Sequence, residues 1–281
     1  MQIIDGKKLA NEILGKVKNE VQALNFVPIF CDVLVGDDLS SLQYVKMKAK
    51  AAESVGIKFH NANFSLSITT PELINEIKIL NKIPNMCGII IQLPLPPHLD
   101  TRALLDSIDL DLDVDCLGAE ASAEFYAGYS KTGFPTALAC VALLDTLPID
   151  LKDKKVAVLG QGDLVGKPVA ALLKFRGLNP DILRSQTENK EKIIKEADII
   201  ISGIGKSKYI TGNIIKQGVV LIDAGTSEEY GGIFGDVDLE SVKDVAGFVS
   251  PVPGGVGPVT VAMLLNNVLT VARNLPAGRQ E

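Results

Sequence analysis

The 281-residue chain has no tryptophan, only two histidines and four widely spaced cysteines. Aromatic residues make up 5% and hydrophobic residues 47% of it, so its cores must be aliphatic, as in glycine-punctuated α/β proteins. With His60 and His98 alone, a histidine-based triad or a multi-histidine metal site is hard to build. The cysteines form no C-x-x-C pair, which argues against structural zinc and disulfides. We therefore expect no bound metal, reduced thiols and a cytoplasmic location.

The net charge of the chain bears on which binding partners can be excluded. A formal net charge of -6 argues against binding to nucleic acid or to an anionic membrane surface, although a local basic pocket stays compatible with it. The N-terminus lacks a charged segment followed by an apolar one, so we expect no signal peptide. No apolar run looks long enough to cross a bilayer. The length is sufficient for two domains of ordinary size.

Strands and helices alternate along the first half of the chain. Strands are predicted at 27–35, 57–64 and 88–91, a helix at 40–55, and another helix where Thr70-Pro71 supplies a cap and a first-turn proline. This alternation is typical of a parallel sheet flanked by helices. Because ligands bind at the carboxyl ends of such strands, the segment that follows residue 91 is a candidate site.

A second alternation occupies the rest of the chain, and a helix closes it. Strands are predicted at 155–159, 181–183, 197–201 and 219–222, with helices through about residue 175 and over 260–273. The fold class predicted from both halves is α/β, with two α/β domains. The tail from Asn274 contains proline and glycine and is expected to fray.

Lys48 lies on the unexpected face of its predicted helix. At about 100° per residue, Lys46, Lys50 and Glu53 share a solvated face, whereas Lys48 lines up with Tyr44 and with apolar residues on the opposite face. A lysine among apolar neighbours loses hydration, which disfavours its ammonium form and suits a base near neutral pH. The alternative is that Lys48 extends along an apolar surface and keeps its charged group in water.

A glycine-rich loop, Gly160-Gln161-Gly162, follows the first strand of the second alternation and leads into a helix. Glycines at such a turn let the backbone approach a phosphate, and the helix N-terminus attracts the anion. The G-x-G-x-x-x-G spacing is one residue longer than the usual fingerprint, and glycine-rich turns are common, but the context favours a dinucleotide site.

The end of the next strand bears on the choice of cofactor. The segment 183–187 contains Arg184 and Ser185 but no acidic residue, whereas a site for NAD usually has an acid there to bind the ribose. An arginine with hydroxyls suits a 2′-phosphate, so NADP is preferred and NAD stays possible. The alternative is that Arg184 is an ordinary surface residue.

The acidic run 109–115 has aspartates at alternate positions. Three of them and Glu120 match positions of a calcium-binding loop, but Val114 occupies the position that requires glycine. We therefore reject calcium and expect a strand edge or an extended loop with one acidic face.

Several segments together resemble the bifunctional methylenetetrahydrofolate dehydrogenase/methenyltetrahydrofolate cyclohydrolase family. They occur in the family's order and cover nearly the whole chain: Val35-Gly36, Ser41, Tyr44-Val45-x-x-Lys48, Gln92-Leu93-Pro94-Leu95-Pro96, Asp113-Val114-Asp115, Val165-Gly166-Lys167-Pro168, Gly235-Asp236-Val237 and Pro251-Val252-Pro253-Gly254-Gly255-Val256-Gly257-Pro258-Val259-Thr260.

This resemblance implies a fold and two reactions. Residues 1–136 with the C-terminal helix 260–281 would form a folate-binding catalytic domain, and residues 137–259 a Rossmann-type NAD(P)-binding domain, with a cleft between them. The reactions would be oxidation of 5,10-methylenetetrahydrofolate with NADP and hydrolysis of the methenyl product to 10-formyltetrahydrofolate. The setting would be one-carbon metabolism, which supplies purine, methionine and histidine biosynthesis, and the enzyme would be a homodimer.

The resemblance also assigns residues to roles. Lys48 matches the family's catalytic lysine, Gln92 its partner, Tyr44 the tyrosine that stacks on the folate, and Asp115 the aspartate that recognises the pterin. The implied folate-binding residues are Tyr44, Lys48, Gln92, Leu93, Asp115, Pro253, Gly254 and Gly255. The implied cofactor-binding residues are Gly160, Gln161, Gly162, Val165, Arg184, Ser185 and Thr226.

The chain departs from the family pattern mainly around the cofactor. Gln161-Gly162 replaces an Arg-Ser pair, Thr226-Ser227 replaces Ile-Asn, and Cys116 follows the aspartate motif in place of glycine. Three alternatives therefore stay open: a cyclohydrolase with an impaired cofactor site, a non-catalytic folate- or dinucleotide-binding protein, and a Rossmann dehydrogenase for another small substrate.

Overall fold

The computed structural model describes residues 1–229 and 232–275, and its fold is α/β as predicted. The chain divides into two compact units. The six-stranded unit, named after its sheet, comprises Met1–Asn11 and Thr136–Met263, and the three-stranded unit comprises Glu12–Pro135 and the chain from Leu264 onward. The predicted ranges 1–136 with 260–281 and 137–259 stay a prediction for the functional domains, and residues 276–281 lie outside the described part.

The strands and helices that the sequence predicts are present, and the structure adds others. The strands are β1 (Gln2–Ile3), β2 (Ile29–Val35), β3 (Lys58–Phe64), β4 (Met86–Ile91), β5 (Val156–Leu159), β6 (Asp181–Leu183), β7 (Ile199–Ser202), β8 (Val220–Asp223), β9 (Ser227–Glu229), β10 (Gly232–Phe234) and β11 (Phe248–Val249). The helices are α1 (Gly6–Val21), α2 (Leu39–Ser54), α3 (Thr70–Leu80), α4 (Thr101–Leu105), α5 (Ala119–Ala127), α6 (Pro135–Asp145), α7 (Gly166–Phe175), α8 (Lys190–Glu196), α9 (Leu239–Val242) and α10 (Val256–Arg273).

The three-stranded unit is built on a parallel sheet with the order β3-β2-β4. Strand β2 is central, and all but its first residue are buried. The core against it is mainly aliphatic, as expected for a chain without tryptophan; Ile90, Leu265 and Leu269 belong to it, together with the aromatic Phe30. The central position of β2 places Asp32, the polar residue of this strand, in the interior of the unit.

The six-stranded unit has the strand order β1-β11-β8-β7-β5-β6, and every pair in this sheet is parallel. Strands β5, β7 and β8 are buried along their whole length, as is typical of a sheet covered on both faces. The sequence prediction missed the antiparallel pair of β9 and β10, whose three-residue strands are too short to give a periodic signal.

Two predicted boundaries need correction. Helix α10 begins at Val256 and not at residue 260, because Pro258 falls in its first turn, where a proline is tolerated. Helix α3 is capped by Thr69 and not by Thr70, and the Thr69 amide donates to the Glu72 carboxylate at 2.8 Å.

Helix α10 also corrects the expectation about apolar runs. It is the one described helix that is long and apolar enough to cross a membrane by length and composition, but half of it is buried within the protein. Leu265, Val268 and Leu269 of this helix belong to the core of the three-stranded unit. These properties are those of a core helix.

Candidate active site

Lys48 lies on the buried face of α2, as its helical phase predicts. Asp38 caps this helix by accepting a hydrogen bond from the amide of Ser41 at 2.8 Å. Ser41, Val45, Lys48 and Ala52 form the buried face, whereas Lys46, Lys50 and Glu53 are exposed. Only 8% of Lys48 is accessible to solvent. The alternative, a lysine whose charged group stays in water, is therefore wrong.

The ammonium group of Lys48 has two polar partners inside the three-stranded unit. Its Nζ atom donates a hydrogen bond to Oε1 of Gln92 at 2.7 Å. The same atom lies 2.7 Å from Oδ2 of Asp32, whose side chain is fully buried. The family resemblance implies the first contact, because Gln92 matches the partner of the catalytic lysine, but nothing in the sequence analysis predicts the second.

Asp32 is the site residue that sequence reasoning missed. It lies within the apolar strand β2, and a lone acid within such a strand is the signal that could have found it, because buried carboxylates are rare unless they are paired. Burial raises the pKa of Asp32, and the charge and hydrogen bonding of Lys48 partly oppose this shift. Lys48 therefore has a charged neighbour in place of the purely apolar surroundings that were expected.

Gln92 is held in place at the end of β4 by its backbone and its side chain. Its amide N–H donates to the carbonyl of Val33 at 2.8 Å, and its Nε2 donates to the carbonyl of Leu93 at 2.8 Å. The second bond fixes which end of the side-chain amide faces Lys48. Gln92 can therefore accept from Lys48 without adding a charge.

Asp115 lies close enough to Lys48 for the charge of the lysine to affect its pKa. It is half-buried, and burial raises its pKa to about 7; the charge of Lys48 lowers the pKa, while Asp113 and Asp32 raise it further. Hydrogen-bond donors supplied by a ligand would stabilise the Asp115 carboxylate and oppose this shift.

The acidic run around Asp115 forms neither a regular strand nor an extended loop with one acidic face, the two structures that were expected. Leu110–Leu112 form a short 3-10 helix, so Asp111 is exposed while Asp113 is buried. The Oδ2 atom of Asp113 accepts from the amide of Gly118 at 2.7 Å, which gives it a structural role. Cys116 adopts a left-handed conformation with φ of +59°, which accounts for a glycine being favoured at this position.

The other predicted folate-binding residues are divided between the units. Tyr44 is 37% exposed, and Leu93 is half-buried; both belong to the three-stranded unit. The segment Pro253-Gly254-Gly255 belongs to the six-stranded unit. There Gly254 has φ of +107°, and a Cβ atom on Gly255 would lie 2.6 Å from the carbonyl oxygen of Pro251.

The glycine-rich turn after β5 has the shape that the sequence predicts, but its glycines are not equivalent. Gly160 has φ of +99°, and a Cβ atom there would lie 2.7 Å from the carbonyl oxygen of Gly203. A Cβ atom on Gly166 would overlap the carbonyl oxygen of Gly160. Gly162 has open space around it and no positive φ, so the steric requirement falls on Gly160 and Gly166.

The remaining predicted cofactor residues lie in the same unit. Gln161 donates from Nε2 to the Gly160 carbonyl at 2.8 Å, and Val165 is the N-terminal cap residue of α7. Arg184 and Ser185 are exposed just beyond the end of β6, and Thr226 is exposed just before β9. None of the ion pairs found within the described part of the chain includes Arg184.

Two buried aspartates hold the loops at the carboxyl ends of β7 and β8. Asp236 accepts from Oγ of Ser202 at 2.6 Å and from the amide of Lys206 at 2.8 Å. Asp223 accepts from the amide of Gly225 at 3.0 Å, and burial raises its pKa to about 7. This network fixes the backbone beside Thr226, so the Gly235-Asp236-Val237 motif has a structural explanation.

The cysteine, histidine and acidic side chains of the described residues bear on whether the chain holds a second reactive group or a metal site. All four cysteines are free and buried, and burial raises the pKa of each thiol, to about 12 for Cys87 and Cys116. Such thiols stay protonated and are poor nucleophiles. Across residues 1–229 and 232–275, no three histidine, cysteine, aspartate or glutamate side chains are grouped to hold a metal ion.

Comparison with known proteins identifies both halves of the chain. The model for the catalytic domain of tetrahydrofolate dehydrogenase/cyclohydrolase matches residues 4–115, and the model for the NAD(P)-binding domain of the same family matches residues 135–275. The bifunctional protein FolD of Nautilia profundicola is 42% identical over 278 residues, which are 98% of each chain.

Solved structures agree with these matches. The bifunctional FolD methylenetetrahydrofolate dehydrogenase/cyclohydrolase of Campylobacter jejuni superposes with a TM-score of 0.93 and 35% identity, covering 98% of this chain and 99% of the other. The FolD enzyme of Trypanosoma brucei, complexed with NADP cofactor and an inhibitor, gives a TM-score of 0.91 and 33% identity over 97% of each chain.

Proposed function

This chain belongs to the tetrahydrofolate dehydrogenase/cyclohydrolase family, and on this premise we propose that it oxidises 5,10-methylenetetrahydrofolate with NADP and hydrolyses the methenyl product to 10-formyltetrahydrofolate. The observation that carries the proposal is the contact of Lys48 with Gln92, 2.7 Å long, in the charge field of Asp115. A buried lysine held by a neutral amide is a group that can exchange a proton with water at a substrate.

We assign hydrolysis to Lys48. Water attacks the cationic methenyl carbon, and the proton that leaves the water passes to Nζ of Lys48. The bond between this carbon and N5 then breaks and N5 is protonated, so the overall reaction converts the methenyl cation and water into the formyl product and one proton. Gln92 orients Lys48 for this step, because its side-chain oxygen accepts a hydrogen bond from Nζ of Lys48.

Asp115 and Tyr44 would bind the folate. A carboxylate accepts hydrogen bonds from an amino group and an adjacent ring N–H, which the pterin offers together. Its own environment supports this role, since burial raises the pKa of Asp115 to about 7 and paired donors would favour the charged form again. Tyr44 is exposed enough to offer a ring face for stacking.

The six-stranded unit fits a dinucleotide. Gly160 and Gly166 leave no room for a side chain at the turn before α7, so backbone amides and the helix N-terminus can approach a phosphate there. Arg184 offers an exposed guanidinium that no ion pair engages within the described residues, which suits a 2′-phosphate. NADP, when bound, accepts the hydride of the one-carbon unit. Gln161, Gly162, Val165, Ser185 and Thr226 complete the proposed binding residues.

A paired spectrophotometric assay on one preparation tests the function. NADPH or NADH formation from methylenetetrahydrofolate is followed in one cuvette, and loss of methenyltetrahydrofolate absorbance in another. The proposal predicts both activities, with NADP preferred. Hydrolysis without turnover of either cofactor would indicate a cyclohydrolase alone, and absence of both would indicate a binding protein.

We further propose that the protein is a cytoplasmic homodimer, as the family resemblance implies. Analytical ultracentrifugation measures the mass directly. A species of twice the chain mass at micromolar concentration supports the dimer, and a single-chain mass at all concentrations contradicts it.

A further inference from the structure

Asp32 has no role in the function described so far, although it approaches Lys48 as closely as Gln92 does. The separation between Oδ2 of Asp32 and Nζ of Lys48 is 2.7 Å, equal to that between Nζ and Oε1 of Gln92. The Asp32 side chain is 0% exposed, and that of Lys48 10%. A charged side chain at the centre of a parallel sheet is expensive to bury, so its presence calls for an explanation.

Among the described residues, Lys48 is the one cation that acts on Asp32. Its neighbours in register are Asn61 on β3 and Ile90 on β4, neither of which carries a charge. The titratable groups that affect it are Lys48 from α2, Asp115 beyond the 3-10 helix, and Cys31 before it on β2. Both carboxylate oxygens of Asp32 are buried, and neither has a hydrogen-bond partner of ordinary geometry in the described part of the chain. The carboxylate therefore depends on Lys48 for compensation.

Asp32 and Gln92 also limit where the lysine nitrogen can lie. Nζ donates a hydrogen bond to Oε1 of Gln92, and Oδ2 of Asp32 lies at ion-pair distance from the same nitrogen. A base held by two such contacts keeps its nitrogen at one place in the site.

We propose that Asp32 is a positioning residue for the hydrolytic step: it orients Lys48 and supplies the counter-charge for the ammonium that forms when Lys48 takes the proton of the attacking water. The inference rests on the proposed cyclohydrolase function. The positive charge of the methenyl cation passes in this step to Lys48, whose Nζ lies 2.7 Å from Oδ2 of Asp32. The raised pKa of Asp32, caused by burial, agrees with a carboxylate that needs this cation to stay ionised.

The substitution Asp32→Asn tests the inference, because asparagine keeps the size and an acceptor oxygen but cannot carry the charge. We expect kcat for methenyltetrahydrofolate hydrolysis to fall roughly 10-fold to 100-fold, since forming a buried ammonium without a counter-ion is unfavourable. The acid limb of the pH–rate profile should move to lower pH, because no carboxylate then favours the ammonium. Asp32→Glu, which keeps the charge, should retain the position of this limb.

Asp111→Asn is the matched control, because it removes a carboxylate at an exposed position of the same unit. Its hydrolysis rate and pH profile should equal those of the wild type. If the wild type itself hydrolyses nothing, the proposed function fails. If the wild type is active and folded Asp32→Asn keeps its kcat and pH profile, the inference about Asp32 alone is overturned.

Infrared difference spectroscopy of the wild type and of Lys48→Met covers the case in which Asp32→Asn does not fold. In Lys48→Met, which leaves Asp32 without its cation, one carboxyl group should become protonated at a higher pH than in the wild type. Identical carboxyl titrations of the two folded proteins would overturn the inference.

Discussion

The side-chain oxygen of Gln92 lies 2.7 Å from the Nζ atom of Lys48, although 44 residues separate the two in the chain. The parallel pairing of β2 and β4 brings them together, because β4 ends at Ile91 beside the strand that precedes α2. The contact is made entirely within the three-stranded unit.

Gln92→Met should impair hydrolysis while leaving the protein folded. Methionine has a similar length but offers Lys48 no comparable acceptor, and a hydrogen bond to a charged group contributes about 1.5–3 kcal/mol. We expect the hydrolysis rate to fall roughly 10-fold to 100-fold. Steady-state kinetics measure the rate and the melting temperature checks the fold; an unchanged kcat would show that Lys48 does not need this partner.

The glycine turn offers a matched pair of substitutions. Gly166→Ala places a Cβ atom onto the Gly160 carbonyl, so the turn must shift, whereas Gly162→Ala meets only open space. We expect the first to raise the KM for NADP at least about 10-fold or to lower the melting temperature, since overpacking typically costs about 1–3 kcal/mol. The second should change both by little. Equal effects of the two variants would contradict the distinction.

Arg184→Ala tests the preference for the phosphorylated cofactor. Loss of a charge-assisted hydrogen bond at this exposed position should raise the KM for NADP roughly 10-fold. The KM for NAD, which lacks the 2′-phosphate, should change little. Lys190→Ala, in the same unit, serves as the control. Equal losses with both cofactors would place the 2′-phosphate elsewhere.

Periodicity made much of this fold accessible from the sequence. The phase of α2 predicts the buried face that contains Lys48, and the apolar runs predict β2, β4 and β5 to within two residues. The sequence analysis did not identify Asp32 as a site residue, because one polar residue does not change the apolar character of its strand. The structure of the acidic run 109–115 was predicted wrongly, because the same alternation of charged residues occurs in a strand and in a loop that buries Asp113.

Sequence patterns alone could not predict the contacts between segments that are distant in the chain. The sequence does not distinguish Gly162 from Gly166, since the difference lies in which backbone atoms face each of them. The same holds for Asp223 and Asp236, whose hydrogen bonds join loops far apart in the chain.

Asp115 should make stability depend on pH. Its pKa is raised from 3.8 to about 7 in the folded protein, so between these values the folded state binds more protons than the unfolded state and stability falls as the pH rises. Asp115→Asn removes this loss. The free energy of unfolding of the variant, relative to the wild type, should therefore increase from about pH 4 to pH 7 and stay level above it.

Urea denaturation at several pH values measures this difference, with Asp111→Asn as the exposed control. A difference between Asp115→Asn and the wild type that does not change with pH would contradict the assignment. The same variant should bind folate substrates more weakly, because it loses an acceptor for the pterin.

The central claim is that Lys48 is the base for hydrolysis, and Lys48→Met tests it most directly. Methionine fills a similar volume without a proton acceptor of comparable strength, and Lys46→Met makes the same change on the exposed face of α2. The measurement is the rate of methenyltetrahydrofolate hydrolysis by both folded variants. We predict a loss of at least about 100-fold for Lys48→Met and a rate near that of the wild type for Lys46→Met; hydrolysis by Lys48→Met at the wild-type rate would contradict the claim.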